Sequence, residues 1–461
     1  MKMKLLPIVF CLIGLTASAQ MNNIKLAELA EGTYFPAGVS VAINHKDQKN
    51  LVAAFGVNHI LYTLDGGKTW KESKPASPFG SAGDPTLISD SKGNFYYFHL
   101  SDPGGKGRDD AGWLDRIVCQ TSADSGITWT PGASIGNNLS KDQASPRASG
   151  SLEESNICLT WTQFDQFGSQ EASCQSNIMF SHSTSHGKRW SDPVQINTKP
   201  GDCSNDDNTT GSAIAAVNPE GRMFVAWSNG GTIFLDRSYN GGDTWLSSDI
   251  VVAQQPGGSF MSIPGIGKCS GMPTLVVDNS ETFFRGSLYI VWADQSSGEN
   301  DTDIWLSRST NRGDTWTKPQ RINQDGAGKH QFLPAVTVDQ ATGIVYIIYY
   351  DRRAHDDLQT DVYLAYSLDG TNHFAEIKIS ESSFLPSAGK SPGDYIGIAA
   401  HKGVIAPIWT RLDDGHVNVL TKVIRQEELF KKEDMPKLQT MRRPVRSSGY
   451  TPSPSQGIRR R

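Results

Sequence analysis

The feature that most restricts what this chain can fold into is a short pattern that recurs six times. It reads Ser or Thr, any residue, Asp or Asn, any residue, Gly, two more residues, then an aromatic. The copies are Thr63/Asp65/Gly67/Trp70, Ser122/Asp124/Gly126/Trp129, Ser183/Ser185/Gly187/Trp190, Ser238/Asn240/Gly242/Trp245, Ser309/Asn311/Gly313/Trp316 and Ser367/Asp369/Thr371/Phe374. They stand about 55 to 70 residues apart, and a fixed period of this size marks a repeat architecture. Each copy has the chemistry of a tight hairpin turn. Asp or Asn accepts hydrogen bonds from nearby backbone N–H groups, Gly takes a positive φ, and the aromatic is expected to pack under its own sheet. The aspartates are therefore turn residues rather than catalytic ones.

Between the copies lie pairs of apolar strands rich in β-branched and aromatic residues, such as Val39–Ile43 with Leu51–Gly56 and Ala335–Val338 with Val345–Tyr350. Each unit reads as inner strand, second strand, third strand, turn motif and outer strand, which is a four-stranded propeller blade. The fold class expected is all-β: a β-propeller of seven four-stranded blades, with six as the alternative count. Inner strands number seven, one more than the turn motifs. The last unit, Asp394 to Ile424, lacks a motif and an outer strand, and the segment Asn23 to Glu31 is the candidate to supply that strand and close the ring.

The six motifs resemble the Asp-box (BNR) repeats of the sialidase/neuraminidase-like superfamily, and the resemblance covers nearly the whole chain after residue 19. It implies a β-propeller acting on glycan, a sialidase-like exo-glycosidase first. It also implies a tyrosine nucleophile and substrate-binding arginines. One departure is visible: where sialidases carry an aromatic-Arg-Ile-Pro stretch in the first blade, this sequence has Tyr34-Phe35-Pro36.

Residues 1–19 read as an export signal. Lys2 and Lys4 precede an apolar run from Leu5 to Leu15, and Ala17-Ser18-Ala19 is a small-residue cleavage site. No later stretch reaches the roughly 18 apolar residues of a spanning helix. A secreted, periplasmic or cell-surface propeller over residues 20–425 is expected, monomeric, with an extracellular glycan or glycoconjugate as partner. The net charge of −5 argues against nucleic acid. Residues 426–461 form a separate tail: from Lys437 to Arg461 it holds seven basic residues and no acid, and it reads as disordered.

If the turn motifs lie on one face, binding chemistry belongs on the other, just before each inner strand and just after each second strand. That filter selects Asp84, Asp142, Asp394 and Tyr395 as candidate catalytic groups. A carboxylic acid and a second carboxylate flanking the scissile bond suit glycoside hydrolysis, and Tyr395 suits the nucleophile that the resemblance implies. Arg352 and Arg411 are candidates to hold a substrate carboxylate in bidentate fashion, with Asp207, His330 and His99 beside them. Two alternatives use the same face. One is a polysaccharide lyase in which His99 or His330 works with Tyr395 on a uronate, and the other is a non-catalytic carbohydrate- or protein-binding propeller. No cofactor is required and no metal ligand set is read. The run Asp202 to Asn208, with Asp206 and Asp207, has the hard oxygen ligands that suit Ca²⁺ but not the spacing of an EF-hand. Of the five cysteines beyond the signal, placement on the blades pairs Cys203 with Cys269 and Cys158 with Cys174, leaving Cys119 free.

Overall fold

The computed structural model describes residues 22–29, 38–110, 112–136, 141–150, 157–386, 393–413, 416–430 and 434. The signal segment 1–19, Tyr34-Phe35-Pro36 and the tail from 435 onward lie outside the described residues. Seven antiparallel sheets follow one another around a central axis, and this settles the blade count at seven. Blade 1 runs Val39–Ile43, Leu51–Phe55, His59–Thr63 and Lys71–Ser73 from the inside outward. Blades 2 to 6 repeat the order, their inner strands being Gly83–Ser89, Asp142–Gly150, Gly211–Val217, Thr274–Val277 and Gln331–Asp339.

Blade 7 is built from both ends of the chain. Its three inner strands are Gly397–His401, Val404–Asp413 and His416–Thr421. The outermost is Ile24–Leu29, antiparallel to the third, with Ile24 opposite Thr421 and Leu29 opposite Val417. The expected closure by the N-terminal strand is therefore observed. It gives the last blade the outer strand that its own segment lacks, and Ile24–Leu29 becomes the outer edge of that sheet. Just before this strand Asn23 ties it to the end of blade 6, donating to the Ile379 carbonyl at 2.9 Å and accepting from the Glu381 N–H at 2.8 Å.

All six turn motifs share one hydrogen-bond scheme. The Ser or Thr hydroxyl accepts the N–H of the residue four on, at 2.9–3.1 Å. The Asp, Asn or Ser side chain two residues later likewise accepts the N–H four beyond itself, at 2.8–3.0 Å. The degenerate third copy keeps both bonds because Ser185 supplies the acceptor. What differs from expectation is the direction of packing. A Cβ on Gly67 would meet Val423 of blade 7, one on Gly126 would meet Val52 of blade 1, and one on Gly187 would meet Cys119 of blade 2. Gly242 lies on the Phe180 ring of blade 3 and Gly313 on Leu235 of blade 4. Trp190 and Trp245 lie edge-on to Phe98 and Phe180 of the preceding blades. Each motif thus fastens its blade to the blade before it, rather than to its own sheet alone.

The cystine is Cys174–Cys203, with Cα atoms 5.7 Å apart, and Cys119, Cys158 and Cys269 are buried thiols. This corrects both expected pairs. Cys158 points into the interface with blade 4, next to Ala213 and Val225, whereas Cys174 sits in the loop after the second strand of blade 3. Cys269 lies on a two-stranded hairpin, Phe260–Ile263 and Gly267–Ser270, inserted between blades 4 and 5. No described helix is long and apolar enough to cross a membrane.

Four of the seven inner strands share one irregularity. Register slips between Gly83 and Thr86, Ala144 and Arg147, Gly211 and Ile214, and Phe332 and Ala335. A proline occupies the second bulge position in three of these (Pro85, Pro146, Pro334), where its missing N–H breaks no ladder bond. The residue before it can then leave the pleat: Asp84 and Leu333 have φ of 55° and 51°. Bulges of this kind re-aim side chains next to functional sites.

Candidate functional site

The bulges surround a cavity of about 170 Å³ at the face opposite the turn motifs. Blade 2 contributes Asp84, blade 3 Arg147, Thr162, Phe164 and Phe167, and blade 4 Asn205, Thr209 and Ile214. The inserted hairpin adds Ser259, Phe260 and Ser270; Met272 and Thr274 follow from blade 5, Leu333 from blade 6, and Asp394 and Tyr395 from blade 7.

Three sequence-selected residues, Asp84, Asp394 and Tyr395, are brought together here. Asp394 is an exposed residue that lines the cavity. Loss of bulk water around the carboxyl, with the Asp84 carboxyl nearby, pushes its pKa up to about 7, and Arg147 only partly offsets this. Asp394 is thus a carboxylic acid at the edge of neutrality.

Tyr395 is fixed on three sides. Its hydroxyl donates to the Pro85 carbonyl at 3.0 Å, next to the Asp84 bulge. The Arg147 guanidinium lies over its ring, 3.7 Å from the centroid. On the remaining side its backbone bridges to Gly38, and a Cβ at residue 38 would fall inside the ring. Burial raises its pKa well above the ordinary phenol value. A phenol so held is a wall that places Asp84 and Arg147 rather than a ready nucleophile.

Arg147 was not among the residues selected by the sequence. It stands inside an inner strand, just after Pro146, away from the strand ends where loop chemistry is expected. A charged residue in a strand that should face the axis, preceded by Pro, is the signal that would have found it.

The other selected residues lie elsewhere. Asp142 accepts the Phe167 N–H at 2.7 Å and caps the loop after its neighbouring strand. Asp207 accepts the Phe260 N–H at 2.9 Å, and its carboxylate occupies the space a side chain at Gly258 would need. Asp202 and Asp206 accept hydrogen bonds from Ser204, Thr209 and Asn208 within their own turn. Among the described residues no cluster of three or more His, Cys, Asp or Glu side chains has a metal-holding arrangement.

Arg352 is 3% exposed; it donates to the Thr360 hydroxyl at 3.0 Å and to the Pro264 carbonyl at 2.8 Å, and burial lowers its pKa to about 10. Arg411 is paired with Asp413 through two 2.5 Å bonds. His99 is fully buried, with Nδ1 at 2.9 Å from the Leu100 carbonyl. His330 meets the Thr302 hydroxyl at 3.0 Å. Burial depresses both imidazoles to about 4. Neither histidine lines the cavity.

No protein-family model and no curated protein sequence matches the chain. Among solved structures, a polysaccharide lyase, an ulvan lyase bound to a glucuronate–rhamnose-3-sulfate oligosaccharide, superposes with a TM-score of 0.52 at 12% identity, over 92% of this chain and 100% of that one. An α-L-arabinofuranosidase from Fusarium graminearum gives 0.48 at 13% identity, covering 89% and 99%. The NanB sialidase of Streptococcus pneumoniae gives 0.47 at 12% identity, covering 82% and 75%. At these identities the likeness is one of fold.

Proposed function

We propose that this propeller is a glycan-acting glycoside hydrolase that removes a terminal sugar, with Asp394 as general acid and Asp84 as the second carboxylate. The observation that carries the reading is that the Asp84 and Asp394 carboxyls line one cavity with Arg147, the Asp394 carboxyl being raised to about 7 by burial and by Asp84. Two carboxyls whose environments separate their protonation give acid and base roles to one site. Asp394 protonates the leaving oxygen, while Asp84 activates water or attacks the anomeric carbon. Arg147 and Tyr395 hold the ring in place. A cavity of this size is smaller than the roughly 300 Å³ of a typical ligand cleft, which favours a single terminal residue over the interior of a chain. The signal segment at 1–19 and the cystine both fit an oxidising, extracytoplasmic setting, where glycans are the substrates at hand.

The lyase alternative needs an imidazole beside Tyr395, and neither His99 nor His330 lines the cavity. The test is turnover on a panel of 4-nitrophenyl glycosides with Asp394→Asn and Asp84→Asn. Each variant is expected to lose roughly 10²–10⁴-fold in kcat with an unchanged unfolding midpoint for Asp84→Asn. Wild-type rates in both variants would overturn the assignment.

A further inference from the structure

The cavity has two unlike walls. Asp84, Asp394, Arg147 and Tyr395, from blades 2, 3 and 7, form the polar side. Phe164, Phe167, Ile214, Met272, Leu333 and the hairpin's Phe260 form an apolar crescent facing the axis from blades 3 to 6.

The charge inventory is equally specific. Recognition of a substrate carboxylate normally uses an arginine fork free to bind it bidentately. Among the described lining residues Arg147 is the single cation, one face of it already lies on Tyr395, and two carboxyls share its cavity. Lys268 stands against Phe260 beside the cavity, where the Asp207 carboxylate accepts the Phe260 N–H, so the described residues give an anion no excess of positive charge. The arginines nearby are engaged elsewhere: Arg353 with Asp351 and Glu376, Arg411 with Asp413, Arg352 with the hairpin.

The hairpin that brings Phe260 to the cavity is held by residues the sequence had marked as substrate-binding. Asp207 accepts the Phe260 N–H, and Arg352 holds the Pro264 carbonyl at the hairpin's tip. The Lys268 ammonium covers the outer side of the Phe260 ring, 4.2 Å from its centroid, and bonds to the Asn205 carbonyl. Asp207 and Arg352 are therefore positioning residues for an aromatic platform.

From this geometry we infer that the cavity selects an uncharged sugar residue over a carboxylate-bearing one, seating the sugar's C–H face on Phe260 and its hydroxyls toward Asp84 and Arg147. The inference rests on the glycan-acting reading and narrows it, setting aside the acidic sugar that the sialidase resemblance implied.

The test separates binding from turnover. Binding of L-fucose, L-rhamnose, L-arabinose and D-galactose is compared with that of N-acetylneuraminic acid and D-glucuronic acid by saturation-transfer NMR and calorimetry. The same sugars are then offered as 4-nitrophenyl or 4-methylumbelliferyl glycosides. At least one neutral sugar is expected to bind about tenfold more tightly than either acid, with an affinity unchanged between about 50 and 500 mM salt. Phe260→Ala is expected to weaken that sugar about tenfold; Phe260→Tyr is expected to retain it. An acidic sugar that binds as well as every neutral one, or no binding of either class, overturns the inference. Turnover of a sialoside or glucuronide in preference to all neutral glycosides also overturns it while leaving the hydrolase reading intact. Neutral-sugar binding without any turnover overturns the hydrolase reading and leaves the inference standing.

Discussion

Gly38→Ala should damage this protein through Tyr395 alone. The added methyl would fall inside the phenol ring, which cannot swing aside: Arg147 lies on one face and the Pro85 carbonyl holds the hydroxyl. Forcing a methyl into such a place costs about 1–3 kcal/mol, and losing the Tyr395 hydrogen bond adds roughly 1. The expected destabilisation is therefore about 2–4 kcal/mol. Tyr395→Ala empties the same space at about 3–5 kcal/mol, by analogy with other large aromatic truncations. In that background the three atoms nearest the added methyl are gone, and Gly38→Ala should cost much less. The coupling energy of the double-mutant cycle should thus be about 2–4 kcal/mol, read from urea unfolding midpoints at constant slope. Additivity within about 0.5 kcal/mol would refute the reasoning. Because displacing the ring shifts Arg147 and the Asp84 bulge, Gly38→Ala protein that still folds should also lose about 10²-fold in kcat/KM.

Three further outcomes can be checked. Asp394 holds its proton up to about pH 7 in the fold and only to about 3.9 in the unfolded chain, so native stability falls as pH rises through that window. Asp394→Asn should therefore unfold at higher urea than wild type above neutrality, with the gap closing toward pH 4, and wild-type kcat should fall above about 7 on the same ionisation; a pH-independent gap would count against the raised carboxyl. Gly242→Ala, at φ 97° and lying on Phe180, should destabilise by at least 1–2 kcal/mol (roughly) more than Gly241→Ala, at φ 76° with open space around it; equal effects in a thermal melt would show that the turn motif does not dock on the preceding blade. Cys174→Ser should cost about 3–4 kcal/mol, the chain-entropy value for a closed loop spanning 29 residues of separation, and mass mapping after non-reducing digestion should recover the 174–203 peptide pair alone.

The sequence carried the architecture because each part of it is local. A hydroxyl, an acceptor two residues on and a glycine at the fifth position write the same turn wherever they occur, so counting motifs and apolar strands yields blades. Even the borrowed outer strand of blade 7 was visible as a missing piece at one end and a spare one at the other. The site was less legible for a physical reason. Asp142 and Asp394 both precede inner strands, and they differ in whether a backbone N–H, that of Phe167, reaches the carboxylate. That difference is set by loops from another strand, which spacing does not encode. Arg352 looked like a substrate ligand because it follows a second strand, yet it holds a hairpin whose existence the strand pattern did not reveal. Arg147 was missed because a bulge turned a mid-strand residue into the cavity.

The seam between blades 7 and 1 has a consequence for how the protein comes into being. Tyr395 rests on Gly38, the Asp394 carboxyl feels the charge of Asp84, and Ile24–Leu29 completes a sheet whose other strands run from Gly397 to Arg425. The acid pair is therefore assembled across the ring from blades 2 and 7, and a chain holding only the first five or six blades lacks Asp394 and Tyr395 and so has no site. Activity, once its substrate is in hand, would report ring closure directly: a chain truncated before blade 7, or one lacking the strand from Ile24, would be silent however well its remaining blades were formed.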